Sequence, residues 1–232
     1  GLSISTFIGL FLSKFFLGKF KFVEKKGQII DGKKVLSYTA PVFLATLATS
    51  SFYTTDVLLV KHFFNPFDAG LYASLSTLGK IIFYGSGPVA AVMFPLVSQK
   101  HSMGRKYMKV FLMSLFVISL IASGVLFIYW LFPEFSIRIL FGEKYLGGAS
   151  NLVWFGLYMA AYTIASLFVS FFLSIGKTKV VILPLTFAIL QILLIFMFHD
   201  SILSVIRMSL LSATFLLLCL LVYFGYGEIK KS

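Results

Sequence analysis

Charge is scarce in this chain. Only 12% of its 232 residues are Asp, Glu, Lys or Arg, about half the share a soluble domain carries. Cysteine is scarcer: Cys219 stands alone, which excludes an intramolecular disulfide and any zinc site built from paired thiolates. The three histidines, His62, His101 and His199, are scattered and form no His-rich motif. Carboxylates number eight and are dispersed, with no Asp-x-Asp pair. There is no His-Glu-x-x-His, no Gly-x-Ser-x-Gly and no glycine loop ending in Lys-Ser or Lys-Thr. These absences argue against an enzyme, and nothing in the sequence calls for a cofactor.

Apolar residues take the place of charge. They make up 59% of the chain, and mean hydropathy is +0.98. A bilayer-crossing helix needs about 20 mostly apolar residues. Six stretches qualify: Val35–Val60, Leu71–Ser98, Val110–Phe132, Leu152–Ile175, Val180–Phe198 and Ile202–Tyr226. None alternates with period two, so a barrel is disfavoured, and backbone groups in hydrocarbon must be satisfied within helices. The expected fold is therefore all-α, a polytopic membrane helical bundle. Gly1–Leu17 reads as the tail of a preceding span, Gly18–Lys34 as a lysine-rich linker, and 35–226 as a six-helix transmembrane bundle. A short tail follows at 227–232. Because Gly1 opens inside an apolar run, the chain is expected to be part of something longer.

Fifteen of the twenty basic residues fall on one side of this arrangement: in the linker region, in the loop holding Lys100, Arg105, Lys106 and Lys109, at Lys177 and Lys179, and at Lys230 and Lys231. Lys and Arg concentrate in cytoplasmic loops, so the linker and the C-terminus are expected to be cytoplasmic in a multi-pass cell-membrane protein. The net charge of +12 then marks topology and attraction to anionic membrane lipids. It does not suggest nucleic acid, because the charges sit in short loops. Tyr129, Trp130 and Trp154 are expected at the outer interface, and Tyr107, Tyr223 and Tyr226 at the inner one. Pro133–Asn151 suggests a short interfacial helix ended by Gly147-Gly148. Pro41, Pro88 and Pro95 predict kinks in the first two spans.

Ionisable residues inside spans are costly and mark function by default. Asp56 and Lys80 are the candidates, Lys80 lying about 15 Å along its span from Gly70 at 1.5 Å per residue. Thr39, Thr46, Thr49, Tyr53 and Asp56 recur at helical same-face spacings. Tyr72, Ser76, Lys80 and Tyr84 lie four apart, as do Tyr158, Tyr162, Ser166, Ser170 and Ser174. Spans one, two and four are thus expected to face an interior, and spans three and five the lipid, with Gln191 a lone amide in the fifth. Two readings of the charges stay open. Asp56 and Lys80 form a buried ion pair that locks two spans, or Lys80 faces a cavity as a point charge for a phosphate-bearing substrate. In the second case Asp56 tunes Lys80 or takes part in H+ or Na+ coupling, and Tyr53, Thr49, Tyr84 and Ser76 line the substrate site. Arg207 reads as a snorkelling residue.

Four stretches carry a resemblance: Leu36–Pro41 (LSYTAP), Asp56–Tyr72 (DVLLVKHFFNPFDAGLY), Phe94–Ser98 (FPLVS), and Leu140–Tyr145 (LFGEKY) with Phe171–Lys179 (FFLSIGKTK). In order and spacing the chain resembles the C-terminal half of a polysaccharide-type oligosaccharide flippase of the multidrug/oligosaccharidyl-lipid/polysaccharide exporter superfamily. The resemblance implies helices seven to twelve of a protein with two six-helix bundles that rock around a cationic cavity. It implies export of a lipid-linked anionic oligosaccharide, with the missing N-terminal six-helix half as a partner. It also places Asp56 at the family's seventh-helix acid and Lys80 at an often basic position of the eighth. A drug/cation antiporter of the same superfamily would want a more acidic cavity. A membrane glycosyltransferase or polymerase would need Glu134, Arg138 and Glu143 to converge.

Overall fold

The computed structural model describes the backbone of residues 32–229 and the side chains of 39–226. The expected tail span and the linker as far as residue 31 lie outside the described residues, as do residues 230–232. The chain divides into Gly1–Ser37 and Tyr38–Ser232; all side-chain geometry below belongs to the second unit.

Eight α-helices follow one another: α1 Gly32–Phe52, α2 Thr55–Phe63, α3 Pro66–Ser102, α4 Met108–Leu131, α5 Pro133–Phe141, α6 Ala149–Ser174, α7 Ile182–Met197 and α8 Ile202–Ile229. Short 3-10 turns at Glu143–Gly148 and Thr178–Val181 lead into α6 and α7. No strand occurs among the described residues. Five helices are long and apolar enough to cross a membrane, and the bent pair α1–α2 makes a sixth. This is a multi-pass helical membrane protein.

The core is built around α6. Of its most apolar window 67% is buried, against 17% for α4. Close approach to its neighbours depends on two glycines. A Cβ on Gly79 of α3 would come within 2.4 Å of the Phe155 ring, and one on Gly156 would meet Leu126 at 2.8 Å and Tyr129 at 3.2 Å. Small residues at such crossings let helix backbones approach where lipid supplies no hydrophobic drive. Phe111, Phe168, Phe171 and Phe224 close one end of the bundle, with ring centroids 4.1–5.9 Å apart. On α4, Met113, Phe116, Leu120 and Phe127 are exposed, a surface suited to acyl chains.

Several expectations are corrected. The first span is broken at Tyr53-Thr54, with a 41° bend that the sequence reading did not place; α1 runs on through Pro41 and α3 through Pro88 and Pro95. Span two is not wholly interior, since Ile81, Tyr84, Val92 and Leu96 of α3 are exposed. The short helix expected after Pro133 exists, but Gly142 ends it rather than Gly147-Gly148; its φ of 74° is one that side-chain-bearing residues avoid. Tyr129 is no interfacial anchor: it is buried and its hydroxyl donates to the Leu78 carbonyl at 2.7 Å. The phenol found a backbone acceptor inside the bundle, where an unmade bond is costly.

Candidate functional site

The chain breaks where its sequence reads Thr49-Ser50-Ser51-Phe52-Tyr53-Thr54-Thr55. Hydroxyls at this density compete for the helix's own backbone. Thr49 Oγ1 donates to the Ala45 carbonyl at 2.8 Å, Thr54 Oγ1 to Ser50 at 2.7 Å, and Ser51 and Thr55 share a bond of 2.8 Å. The carbonyls released by the break are met from across the bundle. The Tyr162 hydroxyl donates to the Thr49 carbonyl at 2.6 Å, and the Tyr158 hydroxyl donates to the Phe52 carbonyl. Gln191 Nε2 also donates to Phe52 at 3.1 Å, and it reaches Tyr158 at 3.2 Å and Ser209 at 3.1 Å. Helices α6, α7 and α8 therefore all contribute to holding the break.

Asp56 lies in the first turn of α2 and is fully buried. One oxygen accepts from the Tyr72 hydroxyl at 2.8 Å and the other from the Val57 amide at 2.8 Å. The acid and the tyrosine of the Gly70-Leu71-Tyr72 opening thus meet directly. The turn between them is set by Asn65, whose side chain accepts from the Asp68 amide at 3.0 Å, and by Pro66 at the first helical position. Tyr145 closes this corner: its ring stacks on Phe67 with centroids 6.2 Å apart, and its hydroxyl would stand 3.2 Å from a Cβ on Gly70.

Of the two readings of Asp56 and Lys80, the ion pair is not formed. Among the described residues the one ion pair joins Arg138 and Glu143 at 3.8 Å. Lys80 is half-buried, and its ammonium lies over the Tyr53 ring, 5.7 Å from the centroid. Tyr53 packs on Phe83 and Tyr162 at 5.2 and 6.0 Å, Phe83 on Tyr162 at 5.4 Å, and Tyr84 on Phe83 at 5.5 Å. An ammonium over a ring gains about 0.5–2 kcal/mol, depending on how far it is desolvated.

The six sequence candidates are therefore only partly brought together. Tyr53, Lys80 and Tyr84 share one aromatic surface. Thr49 adjoins it through Tyr162, but its hydroxyl is spent on its own helix. Asp56 is committed to Tyr72, and Ser76 is buried with no hydrogen-bond partner among the described residues. The row Tyr72, Ser76, Lys80, Tyr84 does not share a face: Tyr72 is buried and Tyr84 is 61% exposed. Four-residue steps on a 3.6-residue helix advance about 40° each, so twelve residues carry the row a third of the way round. Of the row on α6, Tyr158, Tyr162 and Ser174 are buried, while Ser166 and Ser170 are partly exposed. Sequence reasoning missed Gln191 and Ser209 as partners of the break. The signal for Gln191 was present, a lone amide in a hydrocarbon span, which a membrane helix places toward other helices; span five is accordingly not purely lipid-facing.

Residues 19–150 match the family described as polysaccharide biosynthesis protein. The chain belongs to that family. The match covers more than half of the sequence and includes the break, Asp56, Tyr72, Lys80 and the Tyr145 corner. Its role accordingly lies in polysaccharide synthesis or export. No curated protein and no solved structure matches significantly. Helices α6 to α8, which supply Tyr158, Tyr162, Gln191 and Ser209 to the break, lie beyond the matched segment.

Proposed function

We propose that this polysaccharide biosynthesis protein works as half of an integral membrane flippase. It moves a lipid-linked anionic oligosaccharide to the outer leaflet by alternating access, without covalent chemistry, together with a preceding six-helix half. The linker and C-terminus lie on the cytoplasmic side, as the lysine distribution requires. The observation that carries the reading is Lys80: a cation in the middle of a span, without a carboxylate partner among the described residues, exposed on one side and backed by Tyr53, Phe83 and Tyr162. Its charge attracts a phosphate-bearing headgroup, and the half-buried setting keeps that attraction stronger than it would be in open water. A discontinuous span beside it fits transport, since transporters assemble substrate sites at broken helices.

The competing readings fare worse on particular residues. An antiporter for organic cations needs an accessible acid, but Asp56 is buried beneath Tyr72. A glycosyltransferase needs a built polar site, but Arg138 and Glu143 pair only with each other at an exposed surface. The test uses the full-length protein in cells that depend on it for polysaccharide export. Lys80→Ala is expected to reduce export to background at unchanged membrane abundance, and Lys80→Arg to retain part of it. Wild-type export from the Ala variant would overturn the assignment.

A further inference from the structure

An apolar cavity of about 790 Å³ lies along α8 beside the start of α7. Leu183, Phe215, Leu218, Cys219, Val222 and Tyr226 line it, and Lys177 and Tyr223 form its mouth. The lysine is held in place by aromatics. Its ammonium lies 5.7 Å from the Phe172 centroid and 5.8 Å from that of Tyr223. It makes no ion pair among the described residues, and α8 has a single acidic residue, Glu228, against Lys177 and Lys179 in the loop.

The dimensions identify the occupant. From Tyr226 to Phe215 is eleven residues of α8, about 17 Å at the helical rise. One leaflet of a 30 Å hydrocarbon core is about 15 Å deep. With Lys177 set at headgroup level, a cavity of this length would end near the bilayer midplane. Loop lysines attract anionic headgroups, and the walls below offer nothing except apolar surface to a chain. We propose that this groove binds an anionic phospholipid of the surrounding bilayer, its phosphate against Lys177 and an acyl chain along α8.

A second cavity on the same helix provides an internal comparison. Arg207 stacks over Trp154 at 5.4 Å, above a smaller space of about 350 Å³ that shares Phe215 and Leu218 with the first. The proposal assigns the tight lipid to the Lys177 end. The experiment is native mass spectrometry of the full chain in mild detergent, titrated with dioleoyl phosphatidylglycerol and, in parallel, dioleoyl phosphatidylcholine. Wild type is expected to prefer phosphatidylglycerol. Lys177→Gln is expected to lose about fivefold of that preference, the value of one surface charge near an anionic lipid. Lys177→Arg is expected to retain it, which separates charge from folding, and Leu218→Trp is expected to weaken both lipids by filling the groove. Equal preference in wild type and Lys177→Gln would overturn the proposal, as would loss on Arg207→Gln alone. Displacement of phosphatidylglycerol by an equimolar polyprenyl phosphate would also overturn it, by assigning the groove to a carrier lipid.

Discussion

Helix α6 and the broken span α1–α2 are held in opposite ways. Helix α6 is continuous, buried and fixed by shape: Gly79 admits Phe155, and Gly156 admits Leu126 and Tyr129. The broken span packs sparsely, with Phe43, Leu44, Leu47 and Leu58 exposed, and is fixed by donors aimed at its carbonyls. Close packing is intolerant of small displacements, because a dense interface has few neighbouring arrangements. A set of hydrogen bonds at a helix end can be exchanged for others at modest cost, about 0.6 kcal/mol per bond in membrane proteins. The difference assigns rigidity to α6 and adjustability to the break, which is where Tyr53 meets Lys80.

The largest expected effect comes from attacking the packed side. Gly79→Leu forces a branched side chain where even a methyl group meets Phe155 at 2.4 Å. Overpacking of this kind costs about 1–3 kcal/mol. Thermal unfolding in detergent, followed by reaction of Cys219 with a thiol dye, should show a clear fall in the midpoint. An unchanged midpoint would mean that α3 and α6 can separate freely, and the contrast with the break would collapse. Gln191→Leu should cost less, near the upper measured value of about 1.7 kcal/mol for a membrane hydrogen-bond site, because the Tyr158 hydroxyl still covers the Phe52 carbonyl. Its distinguishing readout is export: a loosened break should alter transport rate more than the unfolding midpoint, whereas Gly79→Leu should lower both through the amount of folded protein.

Much of this was legible in the sequence. Hydropathy anticipated the five long apolar helices and the bent pair α1–α2, because apolar runs of bilayer length have few alternative meanings. The row on α6 turned inward at Tyr158 and Tyr162, where the periodicity put it. The break was not legible from its prolines. Pro41, Pro88 and Pro95 drew attention as kink sites within helices, and each does lie within a continuous helix, while the interruption arose from Ser and Thr hydroxyls supported by distant donors. Those donors are 106 and 113 residues away in the case of Tyr158 and Tyr162, a separation no local pattern reveals. Asp56 and Lys80 were found by their cost inside a span, but their partners were not: a nearby phenol outcompeted the ammonium, which settled on a ring.

The smallest effect tests what the tyrosines at the break are for. Tyr162→Phe removes one donor to the Thr49 carbonyl and leaves the ring that packs against Tyr53, Phe83 and Phe52. If the hydroxyl serves only to cap the released carbonyl, the midpoint should fall by the equivalent of about 0.6 kcal/mol, and export should persist because the aromatic surface behind Lys80 is intact. Tyr162→Leu, which also removes the fully buried ring, should lower the midpoint further and reduce export even when normalised to the amount of folded protein. Loss of export in the Phe variant to the level of Lys80→Ala would contradict this division. It would mean that the Tyr162 hydroxyl leaves the Thr49 carbonyl to contact substrate, and that the break and the binding surface are a single device.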